Sequence, residues 1–178
     1  MNLVDTPTIK YTDLRHGDAL LYIETKPTWI DKGIQVITGS NCIHVSMVLF
    51  NNVFEQVLHR RMVPLNQYSN YLADGEIILA LRPKFNIAIN PDEINTSSFY
   101  GFTGILDQLM NHLLGRLIPR YKHTAFLTRI WGLDCSGLVA NILNLEHNCD
   151  WCHDYRVVEP DDFMNHGESF DYLGRVEW

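Results

Sequence analysis

The feature that most constrains this chain is a pair of apolar segments, residues 44–50 and 53–58, separated only by Asn51–Asn52. Both segments contain valine and phenylalanine, which favour strands. Asparagine tolerates the positive φ that a two-residue turn requires. The sequence therefore predicts a β-hairpin with its turn at Asn51–Asn52.

Other apolar segments complete an α+β pattern. Apolar runs bounded by turn residues predict strands, and apolar residues that recur at helical spacing predict helices. No internal repeat or linker divides the chain, so we expect one domain over residues 1–178. The predicted strands cover residues 18–23, 76–82 and 170–176, and the predicted helices cover 28–38, 102–114, a segment beginning at Asp134 or Cys135, and a short segment near 160–163.

Composition excludes several classes of protein. The 178 residues are 46% hydrophobic and 20% charged, which favours a packed core over disorder. Lys and Arg number 14 against 21 Asp and Glu, which gives a formal net charge of -7. The basic residues are scattered apart from the pair Arg60–Arg61. We therefore expect no nucleic-acid partner.

The N-terminal segment and the cysteines indicate a compartment. Residues 1–10 contain Asp5 and Pro7, where a signal peptide needs an unbroken apolar stretch, and no apolar run reaches membrane-spanning length. We expect a cytoplasmic protein without a transmembrane segment. The cysteines are not spaced like a secreted disulfide framework, so we expect reduced thiols at Cys42, Cys135, Cys149 and Cys152.

Cys135 is the candidate nucleophile. A cysteine attacks as the thiolate, and the unpaired N–H groups and positive dipole end of a helix N-terminus favour that form. Asp134 is a good N-cap residue, and Gly137 leaves space beside the sulfur. The negative charge of Asp134 opposes thiolate formation, so a nearby base is needed to hold the ionised sulfur.

His44 is the candidate base because it opens an apolar strand, where the direction of its side chain is fixed. The alternation of side chains along a hairpin puts Glu55 on the same face, which makes Glu55 the candidate for orienting the imidazole. A turn at Asn51–Asn52 places His59 directly opposite His44. Glu55 then reaches His44 only through a bulge or a different turn.

Each candidate also has a structural interpretation. A buried cysteine on an apolar helix is more often a packing residue than a nucleophile. The string Cys149-x-x-Cys152-His153 would suit zinc or haem. We expect no metal site, because the chain shows no export signal and has no second pair of ligands at a distance. We interpret the aromatic residues near predicted loops as half-buried packing; they are Tyr68, Tyr71, Trp131 and Trp151.

The segment Asp134-Cys-Ser-Gly-Leu-Val139 resembles the nucleophile motif of the NlpC-type cysteine peptidases, which cleave cell-wall peptides on a papain-like fold. In that family a Gly-Asp strand and a histidine strand follow the cysteine. Here Gly17-Asp18 and His44-Val45 precede it. This order resembles the circularly permuted papain-like amidases of the YaeF/YiiX type, which are related to lecithin:retinol acyltransferase.

The resemblance spans most of the chain and implies an antiparallel sheet packed against the nucleophile helix. It implies Cys135, His44 and Glu55 as the catalytic residues. The segment Val53-Phe54-Glu55 resembles the strand that carries the third polar residue, whereas a family spacing of twelve from His44 selects Gln56. The substrate-binding residues implied are Tyr121, Asp134 and Ser136.

The implied function is hydrolysis of an amide bond in a cell-wall peptide or a protein conjugate, without metal or organic cofactor. The expected partner is a peptide or acyl substrate, and the oligomeric state stays open. Two alternatives also stay open: a thiol-dependent acyltransferase or esterase, and a catalytically inactive binding module. Without a signal peptide, a cell-wall enzyme would reach its substrate through lysis, a phage particle or a dedicated secretion system.

Overall fold

The computed structural model describes residues 6–27, 32, 35, 40–56, 60–73, 75–87 and 135–178. The helix predicted over residues 102–114 lies outside these ranges, as does most of the helix predicted over 28–38. Tyr121 and Asp134, which the sequence assigns to substrate binding, also lie outside them.

The described residues form a mixed α+β structure around one seven-stranded sheet, which confirms the predicted α+β class. The strands are β1 (Thr8–Lys10), β2 (Ala19–Glu24), β3 (Cys42–Leu49), β4 (Asn52–Gln56), β5 (Arg60–Pro64), β6 (Glu76–Pro83) and β7 (Phe170–Glu177). Their order across the sheet is β1-β7-β6-β2-β3-β4-β5. Neighbouring strands are antiparallel, except that β1 runs parallel to β7. The strands predicted over 18–23, 76–82 and 170–176 correspond to β2, β6 and β7.

Residues 135–178 contain three short α-helices: α1 (Cys135–Ile142), α2 (Leu145–Asn148) and α3 (Asp162–Asn165). Leu138 and Val139 of α1 are buried against Val45 and Phe54 of the sheet, in the largest apolar cluster of the described residues. Their helical spacing predicted this inward face. The packing holds α1 beside β3.

No helix among the described residues is long and apolar enough to cross a bilayer.

The hairpin between β3 and β4 turns one residue earlier than predicted. The register pairs Met47 with Phe54 and Leu49 with Asn52, so the turn is Phe50–Asn51 rather than Asn51–Asn52. Phe50 and Asn51 have φ of 48° and 62°, the left-handed values of a type I′ turn. The amide of Asn52 stabilises the turn by donating to the Phe50 carbonyl at 2.8 Å. The sequence signal failed because phenylalanine rarely occupies a left-handed position.

The observed turn changes which residues face His44. The described pairs end at Met47 with Phe54, and one more residue in the same register brings Glu55 level with Ser46, two residues along β3 from His44. The predicted register, with His59 opposite His44, is therefore wrong. In an antiparallel pair, residues offset by two positions on one face lie within reach of long side chains. Glu55 thus becomes a diagonal neighbour of His44.

β3 also contains an irregularity at His44. Tyr22 of β2 pairs with His44, but the next residue, Ile23, pairs with Cys42, so Ile43 is left without an opposite residue. An extra residue of this kind bends a strand and re-aims a side chain. Of the two devices named from the sequence for bringing Glu55 to His44, the different turn is present in the β3–β4 hairpin. The bulge lies instead in the pairing of β3 with β2.

Candidate active site

His44 and Glu55 are in direct contact. Nε2 of the imidazole lies 3.3 Å from Oε2 of the carboxylate, although the residues belong to different strands. Glu55 is 2% exposed and the side chain of His44 is 17% exposed. The structure thus brings together the two residues that side-chain alternation placed on one face. Gln56, the alternative orienting residue, instead accepts a hydrogen bond from Nε of Arg60 at 3.3 Å.

Two further donors hold the Glu55 carboxylate. Arg61 of β5 binds Oε1 at 2.6 Å, and the hydroxyl of Tyr68 donates to Oε2 at 2.7 Å. Burial alone would raise the pKa of Glu55, but the hydrogen bonds and charges of His44, Tyr68 and Arg61 outweigh it and lower the pKa. The carboxylate is therefore ionised at neutral pH, as an acceptor for an imidazole N–H must be.

Cys135, the first residue of α1 as the structure describes it, also interacts with the His44 side chain. Burial by itself would lower the pKa of His44, but the charge of a Cys135 thiolate and its hydrogen bond to the imidazole, together with Glu55, raise it to about 10. The protonated ring is thus stabilised by both the sulfur of Cys135 and the carboxylate of Glu55. This is the charge arrangement that a thiolate–imidazolium pair requires.

Cys135 differs from the other three cysteines in these surroundings. All four thiols are buried and none is in a disulfide. Burial raises the pKa of Cys42 and Cys149, and it raises that of Cys152 to about 12. The charge and hydrogen bond of Cys135 act on the His44 imidazole. Cys42 contacts His44 too, but its Sγ donates to the His44 backbone carbonyl, at 3.5 Å.

Beyond Glu55, the polar contacts continue through two tyrosines and a serine. Tyr22 donates to the hydroxyl of Tyr68 at 2.8 Å, and Oγ of Ser46 lies 2.7 Å from the hydroxyl of Tyr22. Sequence reasoning missed both Arg61 and Tyr68 as site residues, because each is separated from His44 along the chain and neither belongs to a recognisable motif.

A cavity of about 300 Å³ opens beside His44 and Glu55. Tyr68, Tyr71 and Glu76 also line it, so its walls combine aromatic rings with carboxylates. A larger open groove of about 840 Å³ lies elsewhere, along β1 and Arg82, and its described lining contains no histidine or cysteine. The smaller cavity is therefore the one that adjoins His44 and Glu55.

Ser136, assigned to substrate binding from the sequence, makes a structural contact. It is fully buried, and its hydroxyl donates to the Val158 carbonyl at 2.6 Å, a contact that joins α1 to the segment before α3. Its assignment to substrate binding stays a prediction. Cys149 and Cys152 pack in the apolar cluster with α1, and no group of three or more potential ligands among the described residues could hold a metal ion.

Comparison with known proteins assigns the chain to no family. No protein-family model matches the chain, and no curated protein matches it significantly. The chemistry of the site is therefore inferred from its own residues.

Proposed function

We propose that this protein is a cysteine hydrolase that cleaves an amide bond, with Cys135 as nucleophile, His44 as base and Glu55 as the residue that orients the imidazole. The observation that supports the proposal is that the His44 side chain of β3 interacts both with Glu55 of β4 and with Cys135 of α1. The imidazole lies 3.3 Å from a buried carboxylate oxygen, and the charge and hydrogen bond of the Cys135 thiol act on the same ring. Order along the chain does not matter to this chemistry, since such sites are defined by geometry and role.

The proposed reaction begins with transfer of the Cys135 proton to His44. The thiolate attacks the carbonyl carbon of the substrate, and the Cys135 backbone N–H helps to hold the resulting oxyanion. His44 returns the proton to the leaving nitrogen as the C–N bond breaks, which leaves a thioester on Cys135. Water, deprotonated by His44, then attacks the thioester carbonyl and releases the acid and the free thiol.

The proposed fold is a circularly permuted papain-like one. Its support is the order Gly17-Asp18, His44, Glu55, Cys135 along the chain, and the mostly antiparallel sheet against which α1 packs. The proposed substrate is a cell-wall peptide or a protein conjugate. Tyr121, Asp134 and Ser136 are its proposed substrate-binding residues.

The pH dependence of Cys135 alkylation tests the proposal. We expect iodoacetamide to label Cys135 of the wild type rapidly well below pH 8.5, near which an ordinary cysteine ionises. His44→Ala removes the imidazolium, so it should slow labelling at pH 6 by at least about tenfold, the effect of one unit in thiol ionisation. Peptide mapping with intact-mass readout identifies and counts the labelled sites.

The other three cysteines are internal controls, because burial raises the pKa of each of them and His44→Ala should leave their slow labelling unchanged. His147→Ala, at an exposed histidine of α2, is the matched histidine control. If Cys135 labels as slowly as the other cysteines and is indifferent to His44, the hydrolase proposal is wrong and a binding module becomes the better description.

A further inference from the structure

We infer that Tyr68 is a positioning residue for His44: its hydroxyl, itself oriented by Tyr22 and Ser46, fixes the Glu55 carboxylate so that one lone pair of Oε2 faces the imidazole. The inference rests on the proposed function, in which Glu55 orients His44. It adds a residue that no sequence motif indicates, supplied by the 3-10 helix Leu65–Tyr71.

The first step concerns the two oxygens of Glu55. Oε1 accepts from Arg61, and Oε2 is shared by Tyr68 at 2.7 Å and His44 at 3.3 Å. A carboxylate rotates about its terminal bond unless its acceptors are fixed. Because Arg61 is bound at one oxygen and Tyr68 at the other, the plane of the carboxylate is set before His44 is considered. Tyr68 makes the shorter of the two contacts to Oε2.

The second step concerns the direction of the hydrogen bonds. A phenol or serine hydroxyl has one proton to donate. An ionised Glu55 can only accept, so Tyr68 gives its proton to Glu55. Tyr22 must then give its own proton to Tyr68, and Ser46 must donate to Tyr22. Burial raises the pKa of both tyrosines well above the ordinary value, so both remain donors over the whole working range of pH.

The third step concerns the two ends of this series of hydrogen bonds, which both lie on β3. Ser46 lies two residues after His44 on β3, so Ser46, Tyr22, Tyr68 and Glu55 form a loop that closes on His44. Ser46 is fully buried, and Tyr22 and Tyr68 are each 2% exposed. Burying three hydroxyls on an otherwise apolar face is costly unless each is hydrogen-bonded. A complete network of this kind rigidifies the groups it joins.

Other charged and titratable groups surround Glu55 and have to be held constant in any test. They come from four elements besides its own strand and the 3-10 helix, and they are His44 (β3), Arg61 (β5), Tyr22 (β2) and Glu76 (β6). Cys135 of α1 acts on the same group through His44.

The test is the Tyr68→Phe variant, which removes one hydroxyl and keeps the ring. Its first readout is the titration midpoint of the Glu55 side-chain carboxyl carbon by NMR, assigned with Glu55→Gln. We expect the midpoint to rise by about one pH unit, since a hydrogen bond to a charged group is lost. The second readout is the pH below which alkylation of Cys135 by iodoacetamide slows. This pH should rise together with the Glu55 midpoint.

Tyr71→Phe is the matched control, because Tyr71 stacks on Tyr68 with its ring and is 54% exposed. Neither readout should move in Tyr71→Phe. Ser46→Ala, at the far end of the loop, should raise the Glu55 midpoint by less than Tyr68→Phe does, and it supplies the test if Tyr68→Phe does not fold.

The outcomes separate this inference from the proposed function. If Cys135 responds to His44→Ala but the Glu55 midpoint stays fixed in both Tyr68→Phe and Ser46→Ala, Tyr68 has no positioning role and the hydrolase proposal stands. If the Glu55 midpoint rises in Tyr68→Phe while His44→Ala leaves the alkylation of Cys135 unchanged, the hydrogen-bonded loop is supported and the hydrolase proposal fails.

Discussion

Two buried carboxylates of this protein, Asp18 and Glu55, have similar surroundings and different roles. Asp18 is 1% exposed and Glu55 is 2% exposed, and each faces an arginine from another strand. Arg82 binds both oxygens of Asp18, at 2.8 and 2.7 Å, and the Arg15 N–H adds a third bond. Among the described residues, the donors to Asp18 are a guanidinium and a backbone N–H, and neither changes its protonation near neutral pH. Glu55 differs because one of its acceptor positions faces the imidazole of His44.

The comparison teaches how to separate a structural from a functional buried charge. A buried ion pair rarely stabilises a fold better than an apolar pair would, so its presence alone indicates no function. What distinguishes Glu55 is that its other donors, Arg61 and Tyr68, leave a position for a group that titrates. Removal of Asp18 should therefore affect stability alone, and removal of Glu55 should affect reactivity as well.

The largest expected effect is on the Asp18 side of the comparison. Asp18→Asn leaves the guanidinium of Arg82 without its counter-charge, and breaking a buried pair costs about 3 to 5 kcal/mol. Because the Arg82 side chain is 25% exposed, we expect the lower end, about 3 kcal/mol of unfolding free energy, measured by urea denaturation.

Asp171→Asn is the matched control for this variant. Asp171 and its partner Lys84 are 62% and 41% exposed, so loss of that pair should change stability by less than about 1 kcal/mol. The rate of Cys135 alkylation should be unchanged in Asp18→Asn. A slowing comparable with that of a Glu55 variant would remove the distinction between the two carboxylates.

The next effect is that of Glu55→Gln on reactivity. Glutamine preserves the size of the side chain and an acceptor oxygen but removes the charge that stabilises the imidazolium. We expect Cys135 alkylation at pH 6 to slow by about tenfold, the equivalent of roughly one pKa unit. Gln56→Leu should leave the rate unchanged, and the opposite pattern would make Gln56 the orienting residue.

The same variant has a pH signature in stability. The pKa of Glu55 is lowered by folding, so its stabilisation is fully present above its unfolded value near 4.5 and is lost as pH falls through the lower folded value. The difference in unfolding free energy between wild type and Glu55→Gln should therefore shrink below pH 4.5. Denaturation curves at pH 7, 5, 4 and 3 measure it. A difference that grows on acidification would contradict a lowered pKa.

Side-chain alternation and helical spacing were sufficient to predict much of the site. The apolar runs gave β2, β6 and β7, and parity alone placed Glu55 on the face of His44. The helical spacing of Leu138 and Val139 predicted the buried face of α1. These features depend on local periodicity, which the sequence carries directly.

The features that escaped prediction depend on contacts between distant segments. Tyr68 was interpreted as loop packing, because nothing in the residues around it indicates that its hydroxyl meets Glu55. Arg61 was one of two adjacent basic residues, and only the pairing of β4 with β5 puts it opposite Glu55. The three-residue strand β1 is too short for periodicity, and its pairing with β7 joins the two ends of the described chain.

The smallest expected effect concerns the turn that sets the register of Glu55. Phe50 has a φ of 48°, a left-handed value that asparagine and glycine adopt more readily than phenylalanine. Its ring is 47% exposed and packs on His16 at 4.8 Å between centroids, so its replacement also loses some contact. We expect Phe50→Asn to stabilise the protein by about 0.5 kcal/mol, measured by urea denaturation.

Phe50→Asn should leave both the Cys135 alkylation rate and the His44–Glu55 contact unchanged, because it relieves strain without altering the number of turn residues. Asn51→Ala, at a φ of 62°, is the reciprocal variant and should destabilise the hairpin instead. If Phe50→Asn slowed alkylation, the two-residue turn would not be sufficient to hold the register, and the ring of Phe50 against His16 would have to supply part of it. The diagonal position of Glu55 would then depend on a ring contact in the turn, whereas Asp18 is held directly by Arg82 of β6 and the Arg15 N–H.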